Sequence, residues 1–144
     1  MHAAAQLWIV VLAYDVWFYY FHRLLHTSWL YAYHRKHHEY KRNVCARATF
    51  HADRLENALS AAGVLVPLVA VPGVELPAVV AGSLLCGIMG IIHHDPHLVT
   101  LPGLRWVFDE HHIRHHTHPV GNYGRYWIDY LHGTVIGSQP QTGT

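Results

Sequence analysis

The chain has 144 residues, enough for one domain and too few for two of ordinary size. Apolar residues make up 51% and charged residues only 13%, roughly half the charged share of a soluble domain, so lipid is the expected solvent for much of the surface. The net charge of +1 treats 16 histidines as neutral, and the lack of any basic run argues against a nucleic-acid partner.

Residues 3 to 21, AAAQLWIVVLAYDVWFYYF, carry a single charge, Asp15. At about 1.5 Å per residue they cross roughly 30 Å of hydrocarbon, which predicts a transmembrane helix. No basic preface and no small-residue cleavage site accompany them, which argues against a signal peptide; the abrupt apolar start predicts a missing N-terminal part. HRLLH follows, with His22 and His26 at i and i+4 on one helical face. HRKHH, residues 34 to 38, sets His34, His37 and His38 at the spacing that shares a face while letting two adjacent rings diverge. Cys45 and Cys86 form no ligand-like or disulfide-like pattern and read as free thiols.

A second apolar block runs from Ala58 to Ile92 with Glu75 as its one charge, and VPGVELP at its middle carries Pro72, Gly73 and Pro77. This predicts a hairpin of two short membrane helices over 58–92, each of about 15 to 17 residues, crossing a thinned bilayer or re-entering it. At its end IIHHDPHLV supplies His93, His94 and His97, where Pro96 interrupts regular helix and pushes Asp95 out of the helical region. HIRHH then repeats the earlier spacing with His112, His115 and His116.

All ten Lys and Arg lie within Arg23 to Arg54 and Arg105 to Arg125. Basic residues near membrane ends stay on the cytoplasmic side, so both stretches are expected on that face of a bacterial inner membrane or endoplasmic reticulum. The expected fold is all-α: a single domain over 1–144, an integral membrane helical bundle with a cytoplasmic histidine-rich helical cap built from 22–57 and 93–134.

Neutral imidazole suits Zn, Cu, Fe and Ni. The eight histidines of the three motifs exceed the three or four that one zinc uses, which predicts a two-metal site. His93, His94 and His97 are further candidates to complete it, His94 and His93 ahead of His97. His2, His51, His111, His118 and His132 read as histidines satisfied individually by hydrogen bonds. Among the sparse acids, Glu39, Asp109 and Glu110 are expected to orient ligand rings. There is no HExxH, so no zincin protease, and no GxSxG elbow for a serine triad. No GxGxxG appears either, so reducing equivalents for any redox reaction come from another protein. The aromatics of YDVWFYYF with Trp29, Tyr31 and Tyr33 carry two readings: anchoring at the membrane interface, which their position favours, and lining a substrate tunnel.

The order HxxxH, HxxHH, an intermediate histidine, then HxxHH resembles the fatty acid hydroxylase/sterol desaturase superfamily of membrane di-iron enzymes. HRLLHTSWLYAYHRKHHEYK is similar to the segment leading into the first HxxHH of C-4 methylsterol oxidases and their bacterial relatives. HHIRHHTHPVGNYGRYWIDYLHGT is similar to the closing run of the family, with His132 where a Phe is usual, and the likeness extends over residues 7 to 134. The family's His-Pro-Leu-Glu element is altered to His51, Ala52, Asp53, Arg54, Leu55 and Glu56, so no role passes to His51 or Glu56.

The resemblance implies that His22, His26, His34, His37, His38, His112, His115 and His116 ligate metal, with His94 or His93 at the intermediate position. It further implies two Fe ions, replaceable by Zn in a purified sample, and O2 as co-substrate. A membrane lipid is then hydroxylated or desaturated with electrons from a cytochrome b5-like or ferredoxin-like protein. The rival readings are a zinc-dependent membrane hydrolase and a non-catalytic metal-binding membrane protein.

Overall fold

The computed structural model describes residues 2–104, 108 and 110–137, and all of the regular structure among them is helical. Helix α1, Ala3–Leu25, runs for 23 residues. It extends four residues past the apolar run, where Arg23 in its last turn complements the negative end of the helix dipole. A one-turn helix α2, Tyr31–His34, and a 3-10 turn, His37–Glu39, carry HRKHH. Its histidines therefore lie on two short turns rather than one continuous helix.

The hairpin is asymmetric. Its outward arm is broken into α3, Arg54–Ala62, a 3-10 turn, Gly63–Leu65, and α4, Val66–Ala70, where Pro67 sits at the start of the last piece. Its return arm is one helix, α5, Leu76–His93. The difference follows from composition, since Gly63 and Pro67 interrupt the outward arm while α5 meets proline only at Pro77, in its first turn, where a missing N–H costs nothing. Asp53 caps α3 by accepting from the backbone N–H of Leu55 at 2.8 Å.

Two helices, α1 and α5, are long and apolar enough to cross a membrane. Each shows an exposed apolar stripe at four-residue spacing: Trp8, Leu12, Val16, Tyr20 and Leu24 on α1, and Leu76, Val80, Leu84 and Ile88 on α5. A contiguous apolar surface of that extent is unfavourable in water and at home in lipid. On their inner faces the two helices pack together, and Gly82 lets α5 approach Val10 so closely that a Cβ there would strike its side chain. Val11, Cys86, Met89, Val99 and Phe108 form the core at this contact. Both cysteines are free, as expected.

Past α5 the chain turns at Asp95, whose extended backbone and side chain cap α6, Pro96–Val99, by accepting from the N–H groups of His97 and Leu98. Helix α7, His111–Thr117, carries the last histidine motif, and α8, Tyr126–His132, follows the loop GNYG.

Candidate metal centre

Nine histidines converge at the ends of α1 and α5, in two groups whose ring nitrogens each lie within 4.8 Å of one another. His22, His26, His34, His38 and His115 make the first group; His37, His94, His112 and His116 make the second. All are buried except His26, which is half-buried. The two groups adjoin, with ring centroids across their boundary 4.9 Å apart for His38 and His116, 5.2 Å for His34 and His37, and 5.3 Å for His112 and His115. Each HxxHH thus divides its rings between the groups, as two diverging neighbours should. The structure brings together the eight motif histidines and adds His94. His93 packs edge-on against Phe108, with centroids 5.0 Å apart, and His97 lies in the first turn of α6; neither belongs to a group.

The rings are held from behind. Nδ1 of His22 donates to the carbonyl of Tyr123, that of His115 to the carbonyl of Gly121, and that of His94 to the carbonyl of Gly90. A carbonyl only accepts, so each Nδ1 carries the proton and each Nε2 presents a lone pair. In the first group the Nε2 atoms form a closed circuit of contacts: His22 to His34 at 2.9 Å, His34 to His38 at 3.0 Å, and His38 to His26 and His26 to His22 both at 3.3 Å. With His22 unprotonated there, at most three protons serve four contacts, so one contact sets lone pair against lone pair. Nε2 of His115 is buried in the same place with no hydrogen-bond partner. A cation at that point converts the repulsion into coordination, and the residues therefore fit a metal.

Electrostatics agree. Burial, reinforced by His38, lowers His26 to about 3. Burial lowers His38 and His94 each to about 4, and with the help of neighbouring imidazoles takes His116 to about 2. His34, His37, His112 and His115 are also held well below the ordinary histidine range, chiefly by burial. At neutral pH the nitrogens are unprotonated and available as ligands.

Two carboxylates support the centre. Glu56 on α3 meets His34 Nδ1 at 2.8 Å. Burial pushes its carboxyl up to about 8, so an ionised Glu56 calls for positive charge beyond the His34 ring. Asp129, fully buried on α8, accepts from four donors: the N–H groups of Tyr123 (2.9 Å) and Gly124 (2.7 Å), the Thr134 hydroxyl (2.6 Å) and His111 Nε2 (3.1 Å). It thereby fixes the loop whose carbonyls orient His22 and His115. Asn122 in that loop has φ 55 and ties it to its surroundings through bonds to the His111 carbonyl and the Ile136 N–H. Gly121 passes so close to the Thr134 carbonyl that a Cβ would collide with it.

Two of the three acids expected from sequence to orient ligands do otherwise. Glu39 bonds His51 at 2.7 Å on the surface, Glu110 is exposed, and Asp109 lies outside the described residues. The supporting carboxylates lie instead 22 residues from His34 and 18 residues from His111. Of the histidines read as individually satisfied, His51, His111, His118 and His132 have hydrogen-bond partners that include Glu39, Asp129, Thr117 and Tyr20 respectively, while His2 is exposed.

A cavity of about 400 Å³ opens from the histidines between α1, α3 and α5. His22 and His34 from the first group and His37, His94 and His112 from the second reach its wall, and Tyr14, Phe18 and Phe21 of YDVWFYYF line it. Trp29 and Tyr33 are exposed. Both readings of the aromatics therefore have residues that fit them.

A sequence model of the family described as fatty acid hydroxylase matches residues 7–134. No curated protein and no solved structure matches the chain.

Proposed function

The chain belongs to the fatty acid hydroxylase family, and on that premise we propose that it is a membrane-bound di-iron oxidoreductase that hydroxylates or desaturates a lipid using O2 and external electrons. The observation that carries this reading is the meeting of two adjoining groups of neutral, lone-pair-bearing imidazoles with one largely apolar cavity. His22, His26, His34, His38 and His115 would hold one iron and His37, His94, His112 and His116 a second, and the pair would supply the redox chemistry by which O2, two electrons and two protons convert a C–H bond to C–OH with release of water.

The chain's own residues set the conditions for that chemistry. Phe18 and Phe21 offer an apolar wall to a hydrocarbon chain entering the cavity between α1, α3 and α5 from the bilayer. The carbonyls of Tyr123, Gly121 and Gly90 and the Glu56 carboxylate fix ring orientation, so the lone pairs need no reorganisation when a ligand binds. On the other side His26 reaches a shallow crevice shared with Arg35 and Pro119. The exposed Arg35, Lys36, Lys41 and Arg42 around it make a basic rim for an acidic cytochrome b5-like or ferredoxin-like donor, and by the distribution of Lys and Arg this side is cytoplasmic.

The test is metal analysis of detergent-solubilised protein together with lipid analysis of a host with and without the gene. Two irons per chain and a product that disappears under anaerobiosis are expected. Activity that survives anaerobiosis with zinc bound would replace this reading with a hydrolase, and metal without any product with a non-catalytic protein.

A further inference from the structure

Among the described residues, the Asp, Glu, Lys and Arg side chains on the cavity wall are Glu56, Asp15 and Arg125. Glu56 is engaged with His34. The other two pair with each other, Arg125 Nη1 to Asp15 Oδ2 at 3.2 Å, and hold no histidine. Asp15 stands two turns before His22 on the same face of α1, so the pair lies along the path from the membrane to the metal centre. A charged pair at the wall of a largely apolar cavity is costly, and a salt bridge there returns little stability over apolar packing.

The pair is also incompletely satisfied. Trp127 Nε1 donates to Asp15 Oδ2 at 3.3 Å, and Arg125 Nη1 lies 4.0 Å from Met89 Sδ. Among the described residues the remaining N–H groups of Arg125 and Asp15 Oδ1 have no hydrogen-bond partner, and both side chains face the cavity. A guanidinium offers only donors and a carboxylate only acceptors. A ligand group that serves both must accept from one and donate to the other, which a hydroxyl does. A fatty-acid carboxylate accepts only, and its charge meets that of Asp15 while the charge of Arg125 is already balanced.

We propose that Asp15 and Arg125 form a specificity site that receives the hydroxyl of a neutral long-chain lipid alcohol and rejects the carboxylate of a fatty acid. The proposal rests on the function given above only in taking the cavity as the lipid site. A purely structural tether from α8 to α1 needs no donors turned to the cavity and sets no preference among ligands.

The test is equilibrium binding of a radiolabelled long-chain alkanol, and of the alkanoic acid of equal length, to the full chain in lipid nanodiscs at a pH where the acid is ionised. The alcohol is expected to bind more tightly by roughly ten-fold or more, the worth of one hydrogen bond to a charged group. Arg125→Gln, which leaves the Asp15 carboxylate unbalanced, should widen that preference by repelling the acid. Asp15→Asn, which leaves the guanidinium unbalanced, should reverse it in favour of the acid, a gain that misfolding does not produce. Equal binding of acid and alcohol by the unaltered protein would overturn the proposal whether or not the variants fold, as would an unchanged ratio in a folded Asp15→Asn protein. Metal content, measured on the same samples, is expected to be unaffected. Absence of iron would count against the di-iron function without altering the binding ratio, and an unchanged ratio would remove the pair's role with the metal centre intact.

Discussion

The two histidine groups differ in how firmly they are built. In the five-membered group, three rings are fixed from behind, His22 by Tyr123, His115 by Gly121 and His34 by Glu56. In the four-membered group only His94 has such a bond, to Gly90. The backbone of His51 and Tyr40 lies close enough to His37 and His116 to favour their protonated forms slightly, yet Nδ1 of His37 and both nitrogens of His116 lack a hydrogen bond of ordinary geometry. The rings of the first group are thus preset by their surroundings, while those of the second are less restrained by hydrogen bonds. The firm group is tied to the loop 121–124 and so to Asp129, and reaches the cavity through His22 and His34; the looser one includes His94 at the end of α5 and reaches it through His37, His94 and His112.

The largest effect that sharpens the contrast comes from Asp129→Asn. Removing the charge that gathers four donors loosens the loop beneath His22 and His115, and metal affinity at the first group should fall by about 10- to 100-fold, the usual cost of losing an outer partner. Competition with a graded chelator reads it, and the second group should change little. Glu56→Gln acts on one ring only and should fall at the lower end of that range, about 10-fold, with the same chelator series as its measure. In the unaltered protein, the same chelator should strip the second group first; simultaneous loss of both ions would remove the distinction between them.

Acid should act on the metal-free protein as a whole. Unfolded histidine titrates near about 6.5, whereas His38 and His94 sit at about 4 and His26 at about 3 in the fold. Between those values the unfolded chain binds more protons, so stability rises with pH across the window and is progressively lost as pH falls below about 6.5. Thermal unfolding at a series of pH values should show a Tm that declines from neutrality to pH 4. The smallest effect expected is from His93→Ala or His97→Ala, which lie outside both groups and should leave metal content unchanged.

The spacing of histidines made the centre legible in the sequence because imidazoles three and four apart share a direction on any helical turn, even when HRKHH divides between α2 and a 3-10 turn. The apolar runs and the distribution of Lys and Arg likewise pointed to helices α1 and α5 and a shared end. The choice among His93, His94 and His97 was not legible, since it depends on where α5 stops: the helix ends at His93, and the cap residue His94 is turned inward against Gly90. Nor were the supports. Every residue has a carbonyl, so nothing marked Tyr123 or Gly121, and Glu56 and Asp129 reach the centre from elements whose packing no local pattern encodes.

The central claim is that imidazoles from separate stretches of the chain hold two ions in two adjoining sites. Metal content per chain, measured on the unaltered protein and on His115→Ala and His37→Ala, tests it most directly. Two ions should be found in the first, and about one in each variant, the first group emptied by His115→Ala and the second by His37→Ala. Metal content that is unchanged in both variants would contradict it.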